Sequence, residues 1–92
     1  MERFLIELEH EANENACTIA IKALLSTGSH FLTNAEWGCK DNVHKCWIMV
    51  DVDSKEEARL ILPPVYRDEA NIINLTRFTL DDLKEAVENK EY

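Results

Sequence analysis

Phe31-Leu32-Thr33-Asn34-Ala35-Glu36-Trp37-Gly38-Cys39, then Lys40-Asp41-Asn42-Val43, then His44-Lys45-Cys46-Trp47-Ile48-Met49-Val50-Asp51-Val52 is the stretch on which the fold turns. Its two outer arms carry the aromatic and β-branched residues that favour extended chain, and the short middle segment has turn chemistry. The stretch therefore reads as an antiparallel hairpin, strands at residues 31–39 and 44–52 joined by a four-residue loop. Such a loop sets Cys39 opposite His44, Trp37 opposite Cys46 and Ala35 opposite Ile48, all on one face.

Upstream, residues 3–10 alternate. Phe4, Ile6 and Leu8 fall on one side and Leu5, Glu7 and Glu9 on the other, the period of a half-buried strand. From Asn13 the apolar residues Ala16, Cys17, Ala20, Ile21, Leu24 and Leu25 follow helical spacing, with Gly28 as the stop. Downstream, Ser54 and Glu57 have the spacing of a capping box for a helix that must end at Pro63-Pro64. Residues 70–78 follow as a fourth strand. Thr79 and Asp82 cap a last helix with Leu80, Leu83 and Val87 as its stripe.

The order β-α-β-β-α-β with right-handed crossovers predicts a single α+β domain over residues 1–92. It is ferredoxin-like: a four-stranded antiparallel sheet of order 4-1-3-2, both crossover helices on one face, and a short C-terminal helix in addition. A chain of 92 residues has a small core. The sheet face without helices carries apolar residues, so a homodimer through that face is the expected supplement.

The formal charge is −8, with acidic residues spread along the whole chain, which argues against nucleic acid and anionic lipid as partners. No apolar segment is long enough to span a membrane. The three cysteines include no Cys-x-x-Cys pair, and no leader precedes the first strand, so a reducing cytoplasm is the expected compartment. Asn74-Leu75-Thr76 matches a glycosylation sequon but falls within a strand.

The element order, together with Leu62-Pro63-Pro64-Val65-Tyr66-Arg67-Asp68 between the second helix and fourth strand, resembles the muconolactone-isomerase-like branch of the dimeric α/β-barrel superfamily. Trp37-Gly38-Cys39, His44 and Leu62-Pro63-Pro64 are similar to a group of small uncharacterised proteins within it. The resemblance covers roughly residues 3–78. It implies paired sheets forming a dimeric barrel, and a ligand cleft between each sheet and its helices. Some members are isomerases or cofactor-free oxygenases. None of their catalytic acids or bases maps onto a residue of this chain, and the resemblance implies no cofactor.

Among residues able to carry chemistry, Cys39 and His44 form the sharpest pair, close enough to share a proton or a soft metal. Trp37, Cys39, His44 and Cys46 make the expected ligand-binding patch. Under a metal reading Cys39, His44 and His10 would hold zinc or nickel. A reactive thiol at Cys39 is a third reading, and plain packing of Cys39 and Cys46 with His44 capping the hairpin is the bland one. A Cys39–Cys46 disulfide is disfavoured, because diagonal neighbours lie too far apart.

His10 reads as a solvated strand end, His30 as a loop residue without a role, and the two tryptophans as core or interface residues. Arg67 and Arg77 are a possible carboxylate-binding pair, with surface ion pairing as the alternative. Asp51 and Asp53 read as acids flanking a helix start. Three function classes follow in order: a small-molecule-binding protein, an isomerase- or oxygenase-like enzyme, and a metal-binding or purely interacting module.

Overall fold

The computed structural model describes the backbone of residues 1–89 and the side chains through Lys84. Strand β1, Glu2–Glu9, has the expected alternation, with Phe4, Ile6 and Leu8 buried. Helix α1, Glu14–Leu25, starts where Asn13 accepts a hydrogen bond from the Ala16 amide at 2.7 Å and buries Cys17, Ala20 and Leu24. Gly28, at φ 72°, then turns the chain into a conformation a side chain would strain.

The next segment departs from the expected strand at residues 31–39. A helical turn, α2, His30–Thr33, is capped by the Ser29 hydroxyl on the Leu32 amide, while Thr33 and Asn34 side chains donate back to the His30 carbonyl. These local bonds override the β propensity of Phe31, Leu32 and Thr33, and bury Leu32. Only Glu36–Trp37 remains as strand β2.

The four-residue loop is also corrected. A 3₁₀ turn, Cys39–Asp41, and Asn42 in the left-handed region at φ 61° carry the chain around, so Cys39 and His44 lie outside the ladder. The Gly38 amide donates to Lys45 and the Val43 amide to Gly38. A Cβ at Gly38 would meet the Val43 carbonyl at 2.8 Å, which is why glycine stands there.

Strand β3, Lys45–Val52, is the central partner. The register Trp37↔Cys46 is as read, and β1 pairs antiparallel with β3 from Glu2↔Val52 to Glu9↔Lys45. Helix α3, Lys55–Ile61, is capped by Ser54, whose hydroxyl accepts from the Glu57 amide at 3.1 Å. The Glu57 carboxylate reaches the Asp53 amide rather than that of Ser54, a shifted capping box.

The helix stops before the prolines, and a short turn α4, Pro64–Arg67, leads into strand β4, Asn71–Leu75, shorter than the expected 70–78. Helix α5, Leu80–Asn89, begins with the reciprocal Thr79–Asp82 cap. Leu80 and Leu83 of its stripe are exposed, and the Val87 side chain lies outside the described residues.

The sheet is antiparallel, in order β2-β3-β1-β4, the expected 4-1-3-2 taken from the other edge, in an α+β architecture. Phe4, Ile6, Leu8, Ile48, Val50 and Ile72 of one face pack with Leu24, Leu32, Ala58 and Leu62 from the helical side. Leu5, Met49, Ile73 and Trp47 occupy the other face by alternation. Among the described residues no helix is long and apolar enough to cross a membrane.

Candidate metal centre

The ladder ends at Glu9↔Lys45, and one backbone bond follows it. The His10 amide donates to the His44 carbonyl at 3.0 Å, so the two histidines leave the sheet side by side, their rings 5.7 Å apart. The tight turn after His10, held by Asn13 N–H on the Glu11 carbonyl, folds the first turn of α1 back over this strand end. That places Cys17 above the histidines. The turn from Gly38 to Asn42 supplies Cys39 from the fourth side.

The result is a cluster of His10, Cys17, Cys39 and His44, each offering one ligand atom, with all four atoms within 4.8 Å of one another. His10 Nε2 lies 3.1 Å from Cys39 Sγ, Cys17 Sγ lies 3.6 Å from both His10 Nε2 and His44 Nδ1, and the two sulfurs are 3.0 Å apart. Zinc bonds of about 2.3 Å to sulfur and about 2.0–2.1 Å to nitrogen put tetrahedral ligand atoms roughly 3.3–3.8 Å apart. The two Cys17–histidine separations, 3.6 Å each, are of that size, while the sulfur–sulfur and Cys39–His10 pairs, at 3.0 and 3.1 Å, lie inside it.

The outer atoms of both imidazoles fix which nitrogen faces inward. His10 Nδ1–H donates to the Glu11 carbonyl at 3.0 Å, and His44 Nε2–H donates to Asn42 Oδ1 at 3.2 Å. Each acceptor is an oxygen, so in the neutral ring the outer nitrogen carries the proton and the inner nitrogen is the one left to bind a cation. This is the outer-sphere pattern that orients histidine ligands on a metal. The Cys17 thiol donates to Cys39 Sγ, and that hydrogen bond, then burial, pushes the Cys17 pKa up to about 11. The proton it retains is the one a cation would displace.

The residues singled out from sequence separate here. Cys39, His44 and His10 converge, and His10 is half-buried rather than a solvated strand end. Cys46 shares the core-facing side of the sheet with its partners Leu8 and Trp37 but stays outside the cluster, fully buried, where desolvation, then the nearby Cys39, pushes its thiol up to about 12. Trp37 is half-buried, its ring 6.0 Å from that of His10, at the rim of the cluster.

The fourth member of the cluster, Cys17, was not singled out from sequence. On its helix it repeats with Ala20 and Leu24 and is indistinguishable from core by spacing. The signal that points to it is its place one turn past a capped helix start that follows His10 closely.

Arg67 and Arg77 do not form a pair. Arg67 donates to the Leu60 and Leu62 carbonyls, whereas Arg77 lines an open groove of about 580 Å³ with Arg3, Met49 and Leu75. Asp51 makes a cross-strand ion pair with Arg3 at 3.5 Å instead of flanking the helix, and Asp53 faces the terminal amine at 3.6 Å. His30 is exposed on α2, beside Phe31.

An open groove of about 660 Å³ lies against the back of His10, and Glu9, Glu11, Glu69 and Tyr66 help line it. A cluster of two thiols and two oriented imidazoles, all from protein side chains, defines a closed S2N2 donor set. No protein-family model, curated protein or solved structure matches the chain.

Proposed function

We propose that the protein binds one divalent transition-metal ion, zinc foremost, at His10, Cys17, Cys39 and His44, and uses it to staple α1 and the 38–44 turn to the end of the sheet. The observation that carries this is the convergence of four donor atoms within 4.8 Å of one another, with an oxygen set against the outer nitrogen of both imidazoles. Borderline-soft S2N2 donors near tetrahedral spacing suit zinc better than nickel(II), which favours square-planar surroundings with harder donors. Four protein ligands leave no open position, so the reading is a structural or regulatory centre rather than a hydrolytic one. Acting from β1, α1, the turn and the start of β3, the ion joins segments that a small core holds only marginally.

The test is elemental analysis of protein purified without chelator, followed by zinc titration against a competing indicator. One zinc per chain, with thermal stability rising as zinc is added, is the expected result. Absence of uptake by reduced protein contradicts the reading.

A small-molecule cleft between sheet and helices is the second reading. Its support is the resemblance to the dimeric α/β-barrel superfamily, while Phe4, Ile6, Leu24, Leu32, Ile48 and Leu62 fill the layer between sheet and helices. We also propose that the domain is ferredoxin-like and pairs through its helix-free face, where Met49 and Ile73 are exposed. Light scattering tests the pairing: a concentration-independent mass of one chain contradicts it.

A further inference from the structure

The two sulfur donors differ in what they meet. Cys39 sits in the turn and is half-exposed, while Cys17 lies beneath it, 8% exposed, with its sulfur 3.0 Å from that of Cys39. Cys46, the third thiol, is fully buried between Leu8 and the core and has no exposed route to an oxidant.

Resting on the zinc reading above, we infer that Cys17 and Cys39 are a reversible redox pair, oxidised by a hydroperoxide to a disulfide that expels the metal. Cys39 is the first to react because it is the more exposed of the two residues. Its thiolate attacks one peroxide oxygen. The O–O bond breaks, Cys39 becomes a sulfenic acid, and the leaving oxygen takes a proton from solvent to depart as water or alcohol.

Cys17 Sγ then attacks the Cys39 sulfur. The S–S bond forms, the S–O bond breaks, and the second oxygen leaves as water with another solvent proton. The two thiolates have together given two electrons to the peroxide, and the metal leaves in its original oxidation state.

Two neutral imidazoles are then the only donors left, too few to retain zinc at a four-ligand site. The disulfide replaces one link with another, since it still ties α1 to the 38–44 turn. The domain therefore stays folded in the oxidised form, and the change it transmits is the release of the ion. Placement of the resolving sulfur in hydrogen-bond contact makes disulfide closure faster than further oxidation of the sulfenic acid.

The experiment starts from protein shown by elemental analysis to carry one zinc. One equivalent of hydrogen peroxide is added in the presence of a chromogenic zinc indicator, and the products are mapped by peptide mass spectrometry. About one zinc released per chain, a Cys17–Cys39 linkage, and recovery of binding after dithiothreitol and zinc are the expected results. Cys46→Ala should respond in the same way.

Retention of zinc by the loaded protein overturns the inference and leaves the metal reading standing. So does release accompanied by sulfinic acid at Cys39, or by a linkage to Cys46. Failure to take up zinc before peroxide is added overturns the metal reading, and the inference with it.

Discussion

Two corners of the molecule, both places where helix and sheet meet, are closed by different means. At the α3–α4 corner two guanidinium groups donate to backbone carbonyls. The Arg59 guanidinium donates to the carbonyls of Arg67 and Ala70, and Arg67 donates to those of Leu60 and Leu62. At the β1–α1 corner the side chains turn on one another instead: two thiols in contact, and two imidazoles whose proton-bearing sides face away. The first corner is held by hydrogen bonds to backbone oxygen. The second gathers sulfur and ring nitrogen, and it is here that the proposed cation would sit.

The largest expected difference between the corners is in their response to metal. Free zinc at a thousand times its Kd stabilises a folded site by about 4 kcal/mol. For a domain of this size that corresponds to a rise in Tm of roughly 15 °C or more. Cys39→Ser should abolish that zinc-dependent rise in thermal scans, and an undiminished rise would remove Cys39 from the site.

Arg59→Met tests the opposite corner. Leaving two carbonyls without their charged donor should cost about 2 kcal/mol in denaturant unfolding. Zinc affinity should not change, because the corner is independent of the ion.

Asn42→Gly is a finer probe of the metal corner. Glycine adopts the left-handed conformation at φ 61° without cost, so the substitution removes only the acceptor for His44. Zinc affinity should fall about tenfold to hundredfold with the ligands all retained. Unchanged affinity in a competition titration would show that His44 needs no orienting partner.

The smallest effect belongs to the helix-free face. The Trp47 Nε1–H bond to Glu7 at 3.0 Å, aided by Asn71 and Lys45, holds the Glu7 carboxyl below its ordinary pKa. A lowered folded-state pKa contributes stability that is present above the unfolded value, near 4.5, and is lost as pH falls through the folded one. In zinc-free protein, Trp47→Phe should therefore flatten the decline of stability between about pH 5 and pH 3. An identical acid profile in wild type and variant would show that the bond has no influence on Glu7.

Much of this could be read from the sequence where one physical signal dominates. Alternation placed β1, extended-chain composition placed β3, helical spacing from Asn13 and the Ser54 cap marked helix starts, and Trp37↔Cys46 followed from cross-strand pairing. Residues 30–34 misled because their β propensity is a weak preference, and a cap plus two side-chain bonds to the His30 carbonyl outweigh it.

The loop misled for a related reason. Counting residues between arms assumed an extended chain up to Cys39, whereas the 3₁₀ turn starts there. That shift takes Cys39 out of the ladder and swings it towards α1. Three ligands were legible as a set of soft donors. Cys17 was not, because helical spacing gives the same sign for a core residue and for a ligand, and only the fold of the 38–44 turn over α1 tells them apart.

The central claim is that one metal ion is held by two sulfurs and two nitrogens. X-ray absorption at the zinc edge on zinc-loaded protein measures that shell directly. The account predicts two sulfur neighbours at about 2.3 Å and two nitrogen neighbours at about 2.0–2.1 Å, with imidazole scattering beyond them. A shell of oxygen and nitrogen alone, without sulfur, would contradict it.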